Sequence, residues 1–136
     1  MIIVRNVGGS IIRDITIKIA DEKDLEFIEV MQNLGINGNV ARLITYLASV
    51  DEGTSREIEM GTGLRQPEVS IAMRTLRQYN WVEQRNIKAD GKGRPTAIYK
   101  LNVPIDKIIQ HYEEEKNYET DRTRQAIQRL KEIVAT

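Results

Sequence analysis

The segment Thr54–Val82, TSREIEMGTGLRQPEVSIAMRTLRQYNWV, holds two helical apolar patterns divided by a glycine-rich break. Thr54 or Ser55 can cap a short helix, because a hydroxyl there accepts from the unpaired amides of a first turn. Ile58 and Met60 are that helix's apolar anchors, and Gly61 and Gly63 let the chain leave it in a left-handed conformation. A second helix starts near Gln66–Pro67, where a proline's missing N–H costs nothing. Val69, Ala72, Met73 and Leu76 make its buried stripe. Gln78, Tyr79 and Asn80 end it ahead of Trp81 and Val82, with Trp81 expected as a plug between helix and sheet.

Upstream, Val40, Leu43, Ile44, Leu47 and Ala48 share one face of a helix over about 38–49, followed by a turn at SVDEG. Before it, ADEKD supplies acids at a helix start, and Leu25, Ile28, Met31 and Leu34 recur at helical spacing, widened by Phe27 and Val30. LGINGN stops that helix. Residues 1–20 alternate loosely around Gly8-Gly9-Ser10, which reads as an N-terminal arm or a β-hairpin.

Downstream, WVEQRNI and TAIYKLNV read as strands flanking the tip KADGKGR, Lys88–Arg94, where Gly91 and Gly93 allow the turn. Ile98 and Leu101 differ by an odd number, so a bulge or strand end separates them or one is exposed. Pro104 opens a last segment, 104–136, whose apolar positions fit a heptad at Ile109, Tyr112, Ala126, Leu130 and Ile133. The same register puts Lys116, Glu119 and Thr123 on the seam, so its middle is weak. One long helix, or two joined near Asn117, is expected to pair with a second subunit, with Ile105 and Ile108 packing back on the domain.

The chain has 136 residues, 40% hydrophobic, with one Trp, one Phe, one His and no Cys. That excludes disulfides, zinc–thiolate sites and thiol redox chemistry. The apolar start MIIV stops at Arg5, and no run approaches the roughly 18 apolar residues of a membrane span. A cytoplasmic protein with no membrane partner is expected. Net charge is zero, but the cations are not evenly spread. Residues 65–103 hold eight cations (Arg65, Arg74, Arg77, Arg85, Lys88, Lys92, Arg94, Lys100) and three acids. A localised basic patch of this kind is the footprint of a phosphate-backbone binder.

The order helix, short helix, glycine turn, helix, strand, basic tip, strand outlines a winged helix-turn-helix. Ile58, Leu64, Val69, Met73 and Leu76 hold the helix pair together. With that stripe turned inward, Gln66, Pro67, Ser70, Ile71 and Arg74 face outward, flanked by Arg65, Thr75, Arg77 and Gln78. Arg pairs bidentately with guanine, Gln with adenine, and an apolar side chain such as Ile71 meets a thymine methyl. The segment from about Leu34 to Val103 resembles the winged helix-turn-helix domain of archaeal and bacterial MarR/TrmB/ArsR-like transcription regulators. The matching stretches are LGINGNVARLITYLAS, the segment quoted above, and GKGRPTAIYKL, whose Gly-Arg-Pro leads into an aromatic-bearing strand. The resemblance implies a recognition helix over 66–79, a wing tip over 88–94, and a homodimer held by helices outside the domain. Those helices are here the 24–34 and 105–134 segments. The metal-sensing members use Cys/His clusters that this chain lacks, and residues 1–20 have no counterpart in the resemblance.

The fold class expected is therefore mainly α with a small β-wing (α+β). Its parts are an arm over 1–20, a winged helix-turn-helix domain with a preceding helix over 21–103, and a dimerisation helix or coiled coil over 104–136. The candidate DNA contacts are Arg65, Gln66, Pro67, Ser70, Ile71, Arg74, Arg77, Lys88, Lys92 and Arg94. Arg77 has a competing role as the partner of an acid, and Arg56 one as a phosphate contact or a partner of Glu59. The candidate dimer interface is Leu25, Ile28, Met31, Ile109, Tyr112, Ala126, Leu130 and Ile133, with His111 an ordinary residue beside it. No enzyme is expected: GTGLRQP and GGSIIRD lack the lysine–serine ending of a phosphate loop, and Glu113–Glu115 read as a solvated helix face. No cofactor is implied. The partners expected are double-stranded DNA and a second copy, with room for a small-molecule effector that the residues do not specify. The alternative is a winged-helix module that docks protein in replication, segregation or transcription machinery.

Overall fold

The computed structural model describes residues 2–5, 14–17, 20–87 and 95–136. By compactness the chain divides into two units, Met1–Asn102 and Val103–Thr136. In the first unit, β1 (Ile2–Arg5) pairs antiparallel with β2 (Asp14–Ile17), Ile2 opposite Ile17. Then follow α1 (Glu22–Asn33), α2 (Gly38–Ser49), β3 (Gly53–Thr54), α3 (Ser55–Thr62), α4 (Gln66–Gln78), β4 (Val82–Ile87) and β5 (Thr96–Leu101). The second unit is one helix, α5 (Ile105–Ala135).

Each of the first three helix starts has a side-chain reason. Asp21 and Asp24 cap α1 reciprocally, carboxylate to amide at 2.8 and 3.1 Å. Asn37 caps α2 by accepting from the Asn39 and Val40 amides. Thr54 and Glu57 form the same reciprocal box on α3.

The core is built around α2, which packs against α1, α3, α4 and β5. Leu43 and Ile44 are fully enclosed and Leu47 nearly so, beside Val40, Ala41 and Tyr46. A helix buried on most of its circumference lies inside a bundle rather than on its surface. The buried Thr45 hydroxyl donates to the Ala41 carbonyl at 2.7 Å and so is not stranded. Burial, and secondarily the Glu57 carboxylate, push the Tyr46 hydroxyl above the usual tyrosine range. Ala48, expected on the buried face, is exposed, because that face is centred on Ile44 and Leu47. Met60, expected as an anchor of α3, is 44% exposed, leaving Ile58 as the buried one.

The small sheet has the order β3-β5-β4, all antiparallel. Sequence patterning gives β4 and β5 but reads β3 as a turn. The two residues of β3 are too few to alternate, and it is defined only by pairing, Gly53 with Tyr99 and Thr54 with Ile98. A β-carbon at Gly53 would stand 3.4 Å from the Tyr46 ring, at the near edge of ordinary contact. The β4–β5 ladder runs from Val82–Leu101 to Ile87–Thr96 in unbroken register. Ile98 and Leu101 therefore lie on opposite faces with no bulge between them, each partly covered.

Gly63 closes α3 in the left-handed region, φ +75°, and its amide donates to the Glu59 carbonyl at 2.8 Å. Gly61, also expected at the exit, lies within the helix. An alanine β-carbon at 63 would meet nothing within 4 Å, so the cost of Gly63→Ala is purely conformational. Urea unfolding should show a loss of about 1–2 kcal/mol; a neutral result would mean that the turn relaxes.

The last segment is a single helix, continuous through Asn117. Ile108 and Tyr112 are its buried residues. Of the heptad positions, Ile109, Leu130 and Ile133 are 51%, 62% and 54% exposed, and Ala126 is exposed. In the polar middle, Lys116 Nζ and Glu119 pair with each other at 3.3 Å along the helix. Among the described residues no helix is long and apolar enough to cross a membrane.

Candidate nucleic-acid interface

The candidate surface is built on α4. Its inner face, Val69, Ala72, Met73 and Leu76, is at most 3% exposed and packs on α2 and α3. That anchoring follows from sequence spacing alone, since 69, 72, 73 and 76 fall on one side of a 3.6-residue helix. The opposite face is therefore turned to solvent: Gln66, Pro67, Ser70, Ile71 and Arg74 are all exposed, Ile71 by 63%. Arg65 sits at the N-cap, also exposed, and its amide donates to the Glu68 carboxylate at 2.9 Å. The Gln66 amide donates to the Ser70 hydroxyl at 3.0 Å, which lays the Gln66 side chain along the first turn. Among the described residues Arg74 has no ion pair or hydrogen-bond partner, so its guanidinium keeps all of its donors for a ligand.

Beyond α4 the chain reverses through Asn80, φ +63°, a conformation asparagine tolerates better than other non-glycine residues. Trp81 is 6% exposed and its ring stacks on Tyr79 at 4.5 Å between centroids, the plug role expected of it. Its amide donates to the Leu76 carbonyl, and its carbonyl accepts from the Asn102 amide, both at 2.9 Å. With its nitrogen turned inward, the Asn102 side chain donates to the Asn80 and Trp81 carbonyls at 2.9 and 3.0 Å. The end of α4, the start of β4 and the end of β5 are thereby tied into one joint.

Two arginines of the basic segment are engaged by the protein itself. Arg77 Nη2 donates to Gln84 Oε1 at 2.6 Å and lies 3.4 Å from the Tyr99 hydroxyl, with the guanidinium 5.7 Å from the Tyr99 ring centroid. Arg85 pairs with both carboxylate oxygens of Glu52 at 2.7 Å, just ahead of β3. Sequence spacing does not single out Gln84, Tyr99 or Glu52. Only the strand pairing brings them to these arginines. The wing tip with Lys88, Lys92 and Arg94, and with Gly91 and Gly93, lies outside the described residues. Arg56 is exposed.

At the expected subunit contacts, Ile28 and Met31 are buried within this chain, at 8% and 6%, as is Tyr112 at 8%. Leu25 is 57% exposed, joined on α1 by Val30 and followed by Leu34. Periodicity marks these apolar positions alike and cannot say which side of a helix has a neighbour. His111 and Glu115 approach to 3.4 Å on α5. Among the described residues no three His, Cys, Asp or Glu are grouped to hold a metal ion.

No family model matches the chain, and no curated protein matches it. Solved structures do. A possible transcriptional regulator from Methanosarcina mazei Go1 superposes with a TM-score of 0.58 at 14% identity, over 76% of this chain and 86% of that one. TrmBL2, described as an archaeal chromatin protein with a novel mode of DNA binding, superposes with a TM-score of 0.56 at 21% identity. That match covers 82% of this chain and 43% of the TrmBL2 chain, so the present chain spans less than half of its length. At such identities the likeness is one of fold. The architecture is a winged helix, mostly helical with a three-stranded antiparallel sheet, as the sequence pattern leads one to expect. The proteins that share it here are described as a regulator and a chromatin protein rather than as enzymes.

Proposed function

We propose that the chain is a sequence-specific, double-strand DNA-binding regulator of transcription that works as a homodimer. The observation that carries this is the outer face of α4, where Gln66, Ser70, Ile71 and Arg74 stand together in solvent on a helix whose other face is held rigidly. Base recognition needs that combination: hydrogen-bonding and apolar side chains on a helix that does not rotate. Arg65 at the helix start adds a phosphate contact. The cations of the tip, Lys88, Lys92 and Arg94, sit between β4 and β5 in the chain and serve flanking phosphate or the minor groove. A fold shared with a regulator and with a DNA-binding chromatin protein supports the reading.

Dimerisation is assigned to α5. Its last turns carry Ile127, Leu130, Ile133 and Val134, which are 48–85% exposed and recur at three- and four-residue intervals. At 31 residues the helix is about 46 Å long, ample for a paired contact. Two recognition helices in successive major grooves would then lie about 34 Å apart. Leu130→Asp should convert the dimer to monomer in sedimentation equilibrium and weaken DNA binding at least about tenfold, because the second half-site is lost. A wild-type monomer in solution overturns the subunit assignment. Gel shift on duplex DNA at low salt tests the rest. A protein with no affinity for duplex DNA or heparin is a protein-docking module instead.

A further inference from the structure

We propose that Arg77 is a positioning residue, a strut that sets α4 against the β4–β5 ladder, and not a contact to nucleic acid. The proposal rests on the reading of α4 and the wing as a DNA-binding surface. Position alone would make Arg77 a DNA ligand, since it is an exposed cation on the recognition helix. The geometry points its guanidinium elsewhere, at Gln84 on β4 (2.6 Å) and at Tyr99 on β5 (3.4 Å to the hydroxyl, 5.7 Å to the ring centroid).

Gln84 and Tyr99 are directly opposed in the ladder, so one guanidinium spans both strands at a single rung. The Gln84 side chain is oriented further along β4, where its Nε2 donates to Asn86 Oδ1 at 3.3 Å. Only arginine suits this place: a planar fork of donors meets a carbonyl oxygen while its face lies near an aromatic ring. Both partners are neutral. The orientation of the Arg77 guanidinium is thus taken up by the protein and not by a neighbouring charge. Arg85, by contrast, is neutralised by Glu52.

The consequence is that the strands leading to the 88–94 tip hold a set angle to the recognition face. Strands that need not be reoriented during binding cost less entropy when the surface docks.

The test is a set of duplex-DNA titrations over a range of salt with Arg77→Ala, Arg77→Lys, Gln84→Ala and the Arg77→Ala/Gln84→Ala double variant. The strut predicts that each single variant loses about three- to tenfold in affinity. It predicts that the double variant is within about twofold of either single one, because both remove the same interaction. Lysine does not rescue, since it carries the charge without the fork. The slope of log K against log salt stays at the wild-type value. A slope lower by about two in Arg77→Ala, one for each protomer, and restored by Arg77→Lys, would show a phosphate contact and overturn the proposal, as would additive losses in the double variant. Amide hydrogen exchange of the DNA-free protein decides the strut separately from the DNA reading. Faster exchange in β4 and β5 of Arg77→Ala upholds it, and unchanged exchange overturns it. Absence of any wild-type DNA affinity removes the DNA reading and leaves the exchange result to judge the strut.

Discussion

Leu76→Ala is expected to cost about 2–5 kcal/mol of folding stability, the largest effect of any single truncation on α4. Leu76 is fully enclosed and its carbonyl accepts from the Trp81 amide, so the cavity would open at the joint between helix and wing. A domain of this kind has about 5–15 kcal/mol in all, and the variant would lose a large share of it. Urea unfolding followed through Trp81 fluorescence measures the loss. Five residues earlier, Ile71→Ala should change stability by less than about 0.5 kcal/mol, because Ile71 is 63% exposed. If instead Leu76→Ala proved as mild as Ile71→Ala, the inward face of α4 would be misassigned and with it the outward one.

The second large effect is on DNA. With Arg74→Ala and Arg94→Ala combined, the slope of log K against log salt should fall by about four, one for each phosphate no longer neutralised by the two substitutions in each of two protomers. Arg74 has a second role open to it, since an arginine gripping guanine contributes about 1–3 kcal/mol of discrimination against the wrong base. The roles separate experimentally. If Arg74 reads a base, its removal relaxes preference at one position of a selected binding site. If it meets only phosphate, its removal weakens all sequences alike. Unchanged binding and slope in the double variant would mean that neither α4 nor the tip meets DNA as proposed.

The helices α2 and α4 are legible in the sequence because long apolar periods and flanking turn residues agree at each of them, and the strands β4 and β5 because they flank a glycine-rich tip. Thr54 and Glu57, spaced as a capping box, mark the start of α3 in the same way. What escapes has a common cause, which is that it exists only through partners distant in sequence. The strand β3 is one case, and the engagement of Arg77 and Arg85 by Gln84, Tyr99 and Glu52 is another. Counting charge along the chain finds a basic segment but cannot say which cations the fold itself occupies. The apolar stripe of α1 shows the same limit. Ile28 and Met31 are covered while Leu25, Val30 and Leu34 are left open, though all five read alike as helical apolar positions.

The short strand β3 also bears on the order in which the protein assembles. It pairs residue 53 with residue 99, on the central strand of the sheet. During synthesis α1, α2 and α3 are complete long before that pairing is possible, and the chain between must be closed into a loop at an entropic cost that local helix contacts do not carry. The sheet is thus expected to be the slow, late element of folding, and α4 to mature only when it closes. A ribosome-bound chain that stops short of Thr96 would hold its helices without a wing to set against them.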